Sequence, residues 1–151
     1  MQSILVRPTR TLLLALLAAF PAVNATADEP PLGLPAVPCP DDNPQSAEKV
    51  SLGKQLYFDP RLSRDKTISC ASCHDPAKGW SNGEQFATGV GGQLGGRNSP
   101  TMIKSGYGRF HFWDVRALTL ENQSLGPFSN PIEMAMTHEE LVDRLNKIEG
   151  Y

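Results

Sequence analysis

The chain reads as an all-α protein with long Gly- and Pro-rich loops, and three observations predict this. No stretch alternates apolar and polar residues over the length of a strand, and no hairpin signal joins two such stretches. Three segments instead combine helix caps with helix-spaced apolar residues, beginning near Gln45, Thr119 and Thr137. The 13 glycines and 13 prolines fall mostly outside them. At 151 residues and 40% hydrophobic content the chain amounts to about one small domain. A formal charge of -2 with no block of like charge leaves nucleic acid and anionic membrane surfaces without an electrostatic footprint, so neither is expected as a partner.

The amino terminus predicts export. Arg7 and Arg10 precede a run from Thr11 to Val23 rich in Leu and Ala, and Ala25-Thr26-Ala27 supplies small residues before Asp28. This is the pattern of a secretory signal peptide over residues 1–27, cleaved after Ala27. The apolar run is shorter than the ~20 residues that span a hydrocarbon core, so no membrane insertion is expected after cleavage. Residues 28–44 form a leader whose Pro30, Pro31, Pro35, Pro38, Pro40 and Pro44 exclude helix and central strand. Cys39 within it is the odd cysteine. Val37-Pro38 before it lacks the small residues of a lipid-modification site, and a free thiol is expected.

Asn43-Pro44 reads as the cap and first-turn proline of a helix over about Gln45–Tyr57. Its Val50, Leu52, Gly53, Leu56 and Tyr57 share one broad face, and Asp59-Pro60 stops it. The chemistry of the chain concentrates next, at Cys70-Ala71-Ser72-Cys73-His74. Two cysteines separated by two residues and followed at once by histidine place both thiols on one turn. There they can form thioethers with porphyrin vinyl groups while the imidazole ligates iron. A disulfide, a redox dithiol or half of a zinc site would use the same C-x-x-C. Zinc needs two further ligands at matching spacing, and His111, His138 and Cys39 form no such pair. A redox dithiol does not require the histidine and would follow a strand, which Thr67-Ile68-Ser69 makes poorly. The expectation is one covalent haem c on Cys70 and Cys73 with His74 on the iron. Bacterial thioether attachment is completed outside the cytoplasm, so cofactor and signal peptide agree on the periplasm.

From Gly79 to Gly96 no helical period appears, and seven glycines make a loop whose backbone can lie close to something flat or bulky; a plain surface loop is the alternative. A short helix candidate follows Pro100. Phe110, Phe112 and Trp113 then concentrate aromatic bulk just before Asp114, as a core or a cofactor wall would. Thr119 caps a helix through about Leu125. Thr137 and Glu140 make a capping box for the last helix, with Leu141, Val142, Leu145 and Ile148 as its apolar stripe and Gly150 as its stop.

Taken together, these segments resemble the amino-terminal haem domain of the bacterial di-haem cytochrome c peroxidases, the family that includes the MauG branch. The resemblance covers about Asn43 to Tyr151, and 45–151 is read as one such domain. It is carried by Leu52-Gly53-Lys54-Gln55-Leu56-Tyr57-Phe58-Asp59-Pro60-Arg61-Leu62-Ser63, by Thr67 to His74, by Gly89-Val90-Gly91-Gly92 and by Arg97-Asn98-Ser99-Pro100-Thr101. It continues through Phe112-Trp113-Asp114, Arg116-Ala117, Leu120-Glu121-Asn122-Gln123, Gly126-Pro127 and Asn130-Pro131-Ile132-Glu133-Met134.

The resemblance implies a cytochrome c-like helical domain that reduces hydrogen peroxide with electrons from a small donor protein such as a cytochrome c or cupredoxin. His74 would be the proximal ligand, and Gln123 and Glu133 the polar groups on the peroxide side. Trp113 would lie between two haems, and Asn98 would supply one ligand of a calcium ion, which takes six to eight oxygens. The chemistry suits Glu133, since O–O heterolysis needs a base that takes a proton from one peroxide oxygen and returns it to the other. Val90 stands where many relatives have a histidine that caps the iron at rest, and valine cannot ligate. Val115 stands where the family usually has glycine, and a β-branched residue there would be strained if the position needs positive φ. With a single C-x-x-C-H, the chain reads as a truncated or fragmentary form. The alternative function is a mono-haem cytochrome c that carries electrons, with Met134 or Met136 as sixth ligand.

Overall fold

The computed structural model describes Pro30 and residues 32–151. The expected signal peptide lies outside the described residues. The described part of the leader contains no helix, as its prolines require. Contacts divide the chain into Met1–Ala36 and Val37–Tyr151, and the second unit holds every helix among the described residues.

Among the described residues four α-helices appear in the order α1 (Ala47–Phe58), α2 (Cys70–Cys73), α3 (Leu120–Ser129) and α4 (His138–Leu145). Short 3-10 turns lie between them at Pro60–Leu62, Pro76–Lys78, Val90–Gly92 and Ser105–Tyr107. Among the described residues β-pairing is confined to three isolated bridges, Asp75 with Ser81, Thr88 with Leu94 and His111 with Ala117. The all-α expectation holds.

The helix starts follow local chemistry. α1 begins later than Asn43-Pro44 suggests, because the Ser46 hydroxyl accepts from the Lys49 N–H and becomes the cap. Thr119 caps α3 through the Asn122 N–H, and Thr137 with Glu140 forms the reciprocal box that starts α4. α3 runs past Leu125 and includes Pro127, ending at Ser129. α4 stops at Leu145 with Asn146 as its cap, short of Gly150.

The core is small and sits where turns meet helices. Leu62, Met134, Met136 and Leu141 are buried together, with Leu56, Ile68, Phe128 and Leu145 packed around them. Arg144 of α4 donates to the carbonyls of Arg61 (2.7 Å) and Ser63 (2.6 Å), and the Arg64 N–H donates to the Met134 carbonyl (2.9 Å). Two expected faces are less buried than their spacing implies. α1 buries no residue fully and leaves Val50 and Leu52 exposed, and Val142 on α4 is exposed as well. Helical spacing gathers residues on one side of a helix, but only a neighbouring element removes that side from water.

Asp59 ties the carboxyl-terminal end of this unit to its first helix. Its carboxylate takes a fork of hydrogen bonds from Arg61 (2.6–2.9 Å) and one from the Tyr151 hydroxyl at 2.7 Å. The Arg61 guanidinium above all holds Asp59 down at about 2.

Candidate haem site

Ser69 and Ser72 bracket α2 in a capping box, and this single turn carries Cys70 and Cys73 on neighbouring positions of one face. Both thiols are unpaired. Burial pushes each thiol up; for Cys73 a hydrogen bond with Ser99 opposes that, and the nearby Glu133 carboxylate adds to it. The turn ends at His74, whose N–H donates to the Cys70 carbonyl at 2.9 Å.

His74 is fixed at three of its four polar atoms. Besides the N–H, its carbonyl accepts from the Tyr57 hydroxyl, and its Nδ1 lies 2.9 Å from the Pro100 carbonyl. A carbonyl only accepts, so Nδ1 carries the proton and the Nε2 lone pair is left for a metal. Two unpaired thiols on one turn beside an imidazole in this tautomer are the donor set that a covalently held haem requires. Tyr57 is in turn packed 5.7 Å from the Trp80 ring and 5.0 Å from Phe58, with its hydroxyl 3.5 Å from the Met102 sulfur.

The Gly-rich segment joins this turn to Glu133. The Cys73 sulfur faces the Thr88 carbonyl at 3.8 Å, and two residues on the Val90 N–H donates to the Glu133 carbonyl at 2.9 Å. Between them Gly89 lies so close to the Ile132–Glu133 backbone that a Cβ would sit 1.8 Å from the Ile132 carbonyl oxygen. Close approach of backbone to backbone is therefore the role of at least this glycine. The Asp65 carboxylate fixes the next residue by accepting from the Gly91 N–H at 2.9 Å. Val90 is buried at the centre of this turn.

Glu133 is half-buried in the turn after α3. Its Oε1 accepts from the Asn130 amide at 2.7 Å, and Oε2 has no protein partner among the described residues. Gln123, on α3, is half-buried with its side-chain amide unpaired among the described residues. Met134 and Met136 are packed in the core against Leu62 and Leu141. The two side chains that the electron-carrier reading needs are thus held in apolar packing.

Trp113 and Asn98 meet elsewhere. They line an open cavity of about 380 Å³ with Gln85, Phe86, Gly96 and Arg97, which contains none of Cys70, Cys73, His74, Gln123 and Glu133. Asn98 is exposed, and among the described residues no three His, Cys, Asp or Glu side chains converge as a metal cluster would. Of the core and the cofactor wall expected at this loop, a protein core does not form: Phe110 is 63% and Trp113 66% exposed. The loop turns on Phe112 and Val115, with φ of +63° and +59°. Asp114 holds it by pairing with Arg116 at 2.6 Å and Arg97 at 3.3 Å, while the Arg116 guanidinium lies 3.4 Å above the Phe112 ring.

Sequence reading missed Tyr57, Pro100 and Asn130 as parts of the site. Asn130 carried a signal, since Asn before Pro marks an Asx turn that caps the residues following it. Tyr57 and Pro100 act through tertiary contacts across 17 and 26 positions, which no local pattern announces.

Residues 47–151 match the family model described as di-haem cytochrome c peroxidase. The chain is 42% identical over 140 residues to the methylamine utilization protein MauG of Methylorubrum extorquens, covering 86% of this chain and 40% of that protein. It is 46% identical over 131 residues to the cytochrome c peroxidase Ccp of Escherichia coli, covering 86% and 28%. A crystal structure of a MauG-like protein associated with microbial copper homeostasis superposes with a TM-score of 0.71 at 34% identity, over 81% of this chain and 35% of that one. The diheme peroxidase BthA from Burkholderia thailandensis superposes at 0.64 with 29% identity, over 70% and 31%. The chain spans less than half the length of these relatives. Haem c is the family's cofactor, and the helical domain is of the cytochrome c-like kind these structures share. With the match running from the first residue of α1 to Tyr151, the chain belongs to the di-haem cytochrome c peroxidase family.

Proposed function

We propose that this chain is the haem-bearing part of an exported peroxidase that reduces hydrogen peroxide to water with electrons from a small redox protein, a cytochrome c or cupredoxin. The observation that carries the reading is His74, held in the tautomer that frees Nε2, beside two unpaired thiols, with the Glu133 carboxylate close enough to raise the Cys73 thiol. One haem would be attached through Cys70 and Cys73 and ligated by His74, and it supplies the iron redox chemistry. Glu133, with Oε2 free, takes a proton from one peroxide oxygen and gives it to the departing one. Gln123 orients the peroxide by hydrogen bonding. Trp113, exposed beside Asn98, lies on the route of electron entry, and Asn98 contributes one oxygen to a calcium ion whose other ligands come from elsewhere. Residues 1–27 act as a signal peptide and 28–44 as a leader, which places the haem domain of 45–151 in the periplasm.

Export with the haem-attachment machinery tests the cofactor: intact mass exceeds that of the apoprotein by one haem, and haem resists acid-acetone extraction. Glu133→Gln tests the mechanism. It slows the reaction with peroxide by roughly 10²–10⁴-fold with little change in the spectrum. A low-spin, methionine-ligated ferric spectrum in the wild type, or an unchanged rate in the variant, would favour the electron carrier.

A further inference from the structure

We infer that Asn130 is the positioning residue of Glu133, an inference that rests on the acid–base reading of Glu133. The side chain of Asn130 is used at both ends. Its Oδ1 accepts from the Ile132 N–H at 3.0 Å, which fixes the orientation of the amide and turns Nδ2 toward Glu133. Nδ2 then donates to Glu133 Oε1 at 2.7 Å, the short distance of a charge-assisted bond. The main chain of the same residue closes the turn, since its carbonyl accepts from the N–H groups of both Glu133 (3.1 Å) and Ala135 (2.9 Å). Closing it requires Ala135 to stand at φ +57° in a buried position, a conformation L-residues avoid. Backbone held in this region marks a place where the surroundings dictate geometry.

The result is a carboxylate with one oxygen gripped and the other free. A base that must take a proton from one oxygen and return it to another gains from a fixed direction of approach, and a small misplacement of such a group costs rate steeply. Asn130 contributes this through Glu133 and touches no reacting atom in the reading given above. Asp65, which holds the turn at Gly91, and Tyr57, which holds His74, act on backbone; among the described residues Asn130 is the side chain bonded to the Glu133 carboxylate.

Asn130→Asp separates the two uses of the amide, because it retains an oxygen for the Ile132 N–H and replaces the donor with a second carboxylate. In the haem-loaded protein it is expected to slow the reaction with peroxide by ~10–100-fold. Two readouts distinguish positioning from a merely structural role. In a Glu133→Gln background the Asp substitution should slow the reaction no further. In thermal unfolding, read independently of activity, the drop in Tm caused by N130D should be reversed when E133Q removes the facing charge. A wild-type rate in N130D alongside a slow E133Q overturns the positioning role and leaves the acid–base reading standing, as does a fully additive double variant. A wild-type rate in E133Q overturns both.

Discussion

The phenolic hydroxyl of Tyr57 donates to the main-chain carbonyl of His74, joining the end of the first helix to the end of the Cys70–Cys73 turn. With the Cys70 carbonyl on its N–H and the Pro100 carbonyl on Nδ1, this leaves Nε2 as the polar atom of His74 uncommitted among the described residues. The orientation of the histidine is thereby set by three parts of the chain at once.

Burial first, and then the charges of Cys70, Asp75 and Cys73, push the Tyr57 hydroxyl up to about 12. It therefore remains a donor throughout the neutral and mildly alkaline range. Tyr57→Phe should lower stability by about 1–2 kcal/mol, the cost of a lost bond and an unpaired carbonyl, as read from denaturant unfolding at pH 7. A group raised in the folded state contributes fully below its unfolded pKa and loses that contribution above it. The wild type should accordingly lose stability between pH ~10 and about 12 with an increment that the phenylalanine variant lacks.

Asp59 has the opposite sign. Its hydrogen bonds from Arg61 hold it at about 2, below its ordinary value, so the unfolded chain takes up a proton first as pH falls. The contribution is complete above pH ~4 and disappears as pH drops toward about 2. Asp59→Asn should destabilise the protein at pH 7 by ~1.5–3 kcal/mol, the value of hydrogen bonds to a charged group, and flatten the acid limb of the stability curve. A variant whose acid unfolding profile overlays the wild type would contradict this.

Val115 stands at φ +59° in the turn after Trp113, where its two Cβ substituents crowd the backbone. Glycine should relieve about 1–2 kcal/mol of strain and add back roughly 0.5–1 kcal/mol of chain entropy. Val115→Gly should therefore raise Tm slightly, with its loop still held by Asp114, Arg97 and Arg116. A fall in Tm would show that the valine side chain makes contacts that outweigh its strain.

Gly89→Ala should do more harm than any loop substitution nearby. The added methyl would meet the Ile132 carbonyl oxygen at 1.8 Å and the Glu133 Cα at 2.8 Å, both backbone. Moving that backbone apart should cost ~1–3 kcal/mol or more, as overpacking does. It should also break the hydrogen bond from Val90 to the Glu133 carbonyl, so peroxide reactivity falls with stability. Gly96→Ala, which meets no atom within 4 Å, is the control and should change neither.

Much of this protein was legible in the amino-acid sequence, because the chemistry concerned is local. Cys70, Cys73 and His74 are neighbours on one turn whatever surrounds them, and capping by Thr119 and Thr137 depends on residues three positions on. The family motifs likewise pointed to the strained position at Val115, where the positive φ is now seen. The tertiary structure alone decided which faces are covered and which atoms remain free. Val50 and Val142 lie at helical spacing yet face water, while Met134 and Met136 are enclosed by Leu62 and Leu141. The Nε2 of His74 and the Oε2 of Glu133 are left over because Pro100, 26 residues along the chain, occupies the other ring nitrogen of the histidine, and the Asn130 amide occupies the other oxygen of the carboxylate. Spacing along a chain sets which side chains can share a turn, but what each atom is bonded to depends on segments brought together only when the chain folds.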